Sequence, residues 1–176
     1  MKDDELDRLF RTYHQPLVRY LTRRLGDRDW AEEVAQEPFR RALRQVRLTS
    51  ERSWLFAVAT NLVRDEARKE ERRRHHLQLL AQEEKDRVVE LEPLDIERAH
   101  EQALARRAID SLAERDRLAL LMREEGLDYG EIAEALGLSI SSIGTTLSRA
   151  RRRLAETYEA LQAGADGPAG GSHAAS

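Results

Sequence analysis

The chain has no cysteine, four prolines, nine glycines and only 5% aromatic residues among its 176 positions. Without cysteine there is no disulfide framework, no thiolate metal site and no cysteine nucleophile, which excludes a small secreted fold stapled by bridges. Also missing is any apolar run of the roughly 18 residues that a membrane span needs. The opening MKDDELDRLF lacks the apolar stretch of a signal peptide. These absences predict a soluble cytoplasmic chain without membrane insertion. No glycine-rich phosphate loop, no HExxH and no nucleophile beside a positioned base is present, so no enzymatic activity and no cofactor are expected. His75 and His76 are adjacent, and neighbours on a helix diverge by about 100°, a poor chelate; no metal is expected either.

What is abundant is charge, 36% of the chain, with 30 basic against 33 acidic side chains and a formal net charge of −3. The total conceals an uneven distribution. Residues 38–74 carry 11 basic against 5 acidic side chains, and residues 141–155 carry four arginines and no acid. Residues 83–101 between them hold 8 acidic against 3 basic side chains. Two cationic pieces separated by an acidic one suit a chain that touches nucleic acid twice.

The apolar spacing is helical throughout, and few helix breakers interrupt it. Leu6, Leu9, Phe10, Tyr13, Leu17, Leu21 and Leu25 form one stripe, in which Pro16 predicts a kink or a new helix start. Asp29 and Glu32 read as a capping box for a second helix with Ala31, Val34, Ala35, Phe39, Ala42 and Leu43 inward. Ser50 reads as the cap of a third, with Trp54, Leu55, Val58, Leu62 and Ala67 inward. Three such helices close a small bundle. Residues 75–100, acidic and sparse in apolar side chains, read as a flexible linker, and the helical period resumes through Ala103, Ile109, Leu112, Leu118, Leu121 and Met122 to a C-cap at Gly126. The tail GADGPAGGSHAAS reads as disordered.

The sharpest local pattern runs from Asp128 to Ser139. Asp128 and Glu131 form a capping box, Ala133 allows two helix axes to approach, and Gly137 permits the turn into a second helix from about Ser141. Ile132, Leu136, Leu138, Ile143 and Leu147 supply a shared core. This is a helix-turn-helix pattern, whose second helix would enter the major groove. A hairpin that merely packs would share the caps. It would not predict Arg149, Arg151, Arg152 and Arg153 without an acid from Ser141 to Ala155. In the other cationic piece, Trp54 and Phe56 lie among arginines, which suits stacking of unpaired bases, although Trp54 alone reads more simply as core.

Val34-Ala35-Gln36-Glu37 with Phe39, then Ser53-Trp54-Leu55-Phe56-Ala57-Val58-Ala59-Thr60-Asn61-Leu62 with Asp65, then Tyr129-Gly130-Glu131-Ile132-Ala133 and Ser148-Arg149-Ala150-Arg151, stand in this order. In that order they resemble a bacterial RNA polymerase sigma factor of the sigma-70 family, extracytoplasmic-function group. The resemblance implies an all-α chain of two small helical domains. Residues 1–74 would be the sigma-2 domain, 75–100 the linker, 101–160 the sigma-4 helix-turn-helix domain, and 161–176 a disordered tail. It implies an initiation factor for a stress or envelope-signal response, with core RNA polymerase and promoter DNA as partners and an anti-sigma factor holding it inactive. Glu33, Gln36, Glu37 and Phe39 would dock on the largest polymerase subunit. Arg47, Trp54, Asn61, Arg64 and Arg68 would meet the minus-ten element and help to flip a base. Ser141, Ser142, Gly144, Thr145, Thr146, Ser148, Arg149, Arg152 and Arg153 would meet the minus-thirty-five element.

Two departures from the family pattern stand out, at three positions. Cations customary in the recognition helix are replaced by Gly144 and Thr146. Base readout is therefore expected from Thr145, Ser148 and Arg149, with Arg151 to Arg153 on phosphates, so that Arg149→Ala changes sequence preference. Pro38 falls inside the docking helix, where it removes a hydrogen bond and predicts a bend. The alternative function is a dimeric helix-turn-helix regulator acting without core polymerase, which leaves the first half unexplained.

Overall fold

A computed structural model describes residues 2–77 and 93–165, with side chains described for 2–70 and 95–165. The rest of the expected linker (78–92) and of the expected disordered tail (166–176) lies outside the described residues, as do the side chains of Arg72 to His76. Among the described residues there are seven α-helices and no strand: α1 (Asp3–Leu25), α2 (Arg28–Ala42), α3 (Glu51–Leu77), α4 (Pro93–Asp110), α5 (Glu114–Glu124), α6 (Tyr129–Leu136) and α7 (Ile140–Ala165). Residues 93–100, expected as linker, and 161–165, expected as tail, are thus helical.

Helix α1 runs unbroken through Pro16. Leu9 lies buried before the proline and Leu17, Val18, Tyr20 and Leu21 after it, and this burial offsets the cost of ~3 kcal/mol that proline imposes on an unsupported helix. Asp3, Asp4 and Glu5 in its first turn and Arg23 and Arg24 in its last complement the helix dipole. It ends on Gly26 at φ 77°, whose N–H donates to the Thr22 carbonyl at 2.7 Å. Helix α2 is capped by Asp27, not by the expected Asp29: Trp30 N–H donates to Asp27 Oδ1 at 3.0 Å. Pro38 is buried in α2, and the helix continues four residues beyond it to Ala42.

In α3 the inward stripe is Leu55, Phe56, Ala59 and Val63; Trp54 and Leu62 only flank it, and Ala67 is exposed. The core is pinned by a polar contact. The Tyr20 hydroxyl lies 2.7 Å from Thr60 Oγ1, which donates to the Phe56 carbonyl at 2.7 Å, and the Tyr20 and Phe56 rings are 5.0 Å apart.

The second half does not stand apart from the first. Leu118, Leu121, Met122, Leu127, Ile132, Ile143 and Leu147 belong to the same continuous apolar core as the side chains of α1 to α3, with α6 packed on α3 and α5 on α1. In this structure the two helical halves pack against each other.

Candidate nucleic-acid and polymerase interfaces

The turn between α6 and α7 is built as its sequence requires. Glu131 N–H donates to Asp128 Oδ1 at 2.8 Å and Asp128 N–H donates to Glu131 Oε2 at 2.9 Å, which closes the capping box. Gly137 takes φ 66°, and Leu138 N–H reaches back to the Ala133 carbonyl at 2.9 Å, ending α6 and turning the chain. Ile132, Ile143 and Leu147 are fully buried between the helices. This leaves Ser141, Thr145, Ser148 and Arg152, spaced four, three and four apart, on one exposed face of α7, with Arg151 and Arg153 also exposed.

Two residues expected on that face are placed differently. Thr146 is 3% exposed and faces the core, so it belongs to the packing and not to the DNA-facing set. Gly144 is half-buried beneath Tyr129, where an added Cβ would meet the ring at 3.6 Å, an ordinary contact. Arg149 is held in place: its Nε and Nη2 donate to Asp116 Oδ2 and Oδ1 at 2.8 and 2.5 Å. The Arg149 hydrogen bonds hold the Asp116 carboxyl below the usual carboxylate range, against the effect of burial, and the same pair raises Arg149.

On α2, Glu33 and Gln36 are exposed. Arg40 Nη2 donates to Gln36 Oε1 at 3.0 Å, and Arg41 Nε donates to Glu37 Oε1 at 2.9 Å, which lowers the Glu37 carboxyl. Phe39 is 5% exposed and is a core residue, not a docking side chain. Its ring instead supports Phe10 at 5.0 Å, and Phe10, 41% exposed, stacks on His14 at 4.2 Å. Phe10 reads as core from its place in the first stripe. The aromatic pair it makes on the surface needs the α1–α2 packing to become visible.

On α3, Trp54, Asn61 and Arg68 recur at seven-residue intervals and share a face, with Asn61 and Arg68 exposed and Trp54 half-buried. Phe56 is fully buried and offers no stacking surface, contrary to the sequence expectation. Arg47 is exposed in the loop before α3 beside the almost fully exposed Val46. Arg64 points to the second half, its Nε donating to Glu114 Oε1 at 3.2 Å. Among the described residues there is no cluster of three or more His, Asp or Glu arranged for a metal, and no helix is long and apolar enough to cross a membrane.

The sigma-70 region 2 model matches residues 9–73 and the sigma-70 region 4 model matches residues 102–154. The chain is 30% identical over 160 residues to the RNA polymerase sigma factor YlaC of Bacillus subtilis, covering 86% of this chain and 90% of that one. It is 30% identical to the ferric citrate uptake sigma factor FecI of Escherichia coli over 81% of this chain and 84% of that one. To the ECF RNA polymerase sigma factor SigE of Mycolicibacterium smegmatis it is 31% identical over 84% of this chain, which spans 59% of the longer relative. Its fold resembles the sigma factor RpoE of Bartonella quintana, solved in complex with the anti-sigma factor NepR, at a TM-score of 0.64 and 20% identity, covering 88% of this chain and 97% of that one. By these likenesses and the two helical halves described above, the chain belongs to the sigma-70 family of RNA polymerase sigma factors, in the extracytoplasmic-function group.

Proposed function

We propose that this sigma factor acts in the cytoplasm and divides its work among three surfaces. Glu33, Gln36 and Glu37 on α2 dock on core RNA polymerase; Arg47, Trp54, Asn61, Arg64 and Arg68 meet the minus-ten element; and the exposed face of α7 reads the minus-thirty-five element. The observation that carries this reading is the acid-free face of Ser141, Thr145, Ser148 and Arg152 on the second helix of a capped helix-turn-helix. A lone regulator would need only that half. The cationic α3 and the polar α2 face give the first half its own partners.

An anti-sigma factor is the natural regulator of such a chain, as in the complex in which the similar RpoE was solved. Its binding would be expected to oppose polymerase docking. Gel filtration with purified core polymerase tests the assignment: the wild-type chain co-elutes with core, and Glu33→Lys/Gln36→Lys weakens the complex at least about tenfold, or ~1.4 kcal/mol. Failure of the wild-type chain to form any complex, together with tight binding to duplex DNA alone, would favour the dimeric regulator.

A further inference from the structure

Asp116 is an acid placed where DNA should be. Its side chain is 2% exposed, and it lies at the base of a surface depression lined by Ala113, Arg115, Arg149 and Arg153. A carboxylate beside three arginines lowers the local positive potential, which by itself opposes binding to phosphates. Its geometry gives it a different use. The two-pronged contact with Nε and Nη2 fixes the plane of the Arg149 guanidinium and does not involve Nη1, on a side chain that is 35% exposed.

We propose that Asp116 is a positioning residue, which makes Arg149 the contact that discriminates one base from another, while Arg115 and Arg153 take phosphates. A guanidinium held in one orientation can present its donor to the acceptors of a guanine edge; a free one settles on any phosphate. This rests on the reading that α7 enters the major groove. The test uses the full chain with core polymerase, a duplex recovered from a randomised library, and the same duplex scrambled in its upstream element. Asp116→Asn is expected to lower the affinity ratio between the two about tenfold. In an Arg149→Ala background it should change the ratio no further. If Asp116 acts only through its charge, both duplexes bind more tightly and the ratio stays, which overturns the proposal. Should Asp116→Asn not fold, Arg149→Lys keeps the charge without the fork and must show the same loss of ratio; a retained ratio overturns the proposal equally. A wild-type complex that recovers no preferred duplex would instead remove the reading on which this rests.

Discussion

Burial pushes the Tyr20 phenol up to about 12 from its ordinary 10.0, partly countered by its hydrogen bond with Thr60. A raised folded-state value means the neutral phenol is the form that fits. Its contribution to stability is complete below pH 10 and is lost as pH rises through about 12. Tyr20→Phe should therefore be less stable than wild type by about 1 kcal/mol at pH 8, and the difference should shrink and reverse as the pH approaches 12. Urea midpoints across that range measure it; a constant difference would show that folding leaves the Tyr20 phenol at its ordinary value. At Gly144 the surroundings leave room for a methyl group against Tyr129. Gly144→Ala should raise stability by about 0.5–1 kcal/mol and the melting temperature by roughly 2–4 °C per kcal/mol, so a lower melting temperature would mean that the helix needs the glycine.

At the scale of elements, the capping box at the start of α6 orders the turn that aims α7. Asp128→Ala should cost about 1 kcal/mol, seen as a lower denaturant midpoint, and leave the overall helix content in circular dichroism nearly intact. This element was fully legible in sequence, because both caps and Gly137 act within a few residues of one another. What depends on packing was not. Pro16 reads as a kink or a new helix start and Pro38 as a bend, and α1 and α2 each continue past their proline. Asp29 reads as a cap, but the backbone bond goes to Asp27, two residues earlier. The inward face of α3 is turned by one residue from its expected register, which moves Phe56 into the core. Helix spacing alone leaves a turn of about 100° unresolved when apolar residues fill more than one stripe. Phe39 fits a family motif and Thr146 stands where a cation is customary, and burial in this fold separates both from the exposed residues beside them.

At the scale of the whole molecule, the segmental charges foretell two cationic surfaces but not how the halves meet. Opposite charges at the two halves are recognisable only as pairs, and Glu114 with Arg64 or Glu125 with Arg19 lie far apart in the chain. The resulting body pairs Arg64, one of the residues expected to contact promoter DNA, with the acidic Glu114 of the other half. Near-neutral net charge thus goes together with pairing of opposite charges between the halves. Engagement of both DNA-facing pieces on one polymerase would then gain from their linkage in a single chain.

Promoter-directed initiation is measured most directly by run-off transcription with reconstituted core polymerase on a randomised promoter library. With the chain present, transcripts should arise from a subset of templates that share two short elements at fixed spacing, one for each half of the molecule. Transcripts no more numerous or selective than those of core polymerase alone would contradict the account.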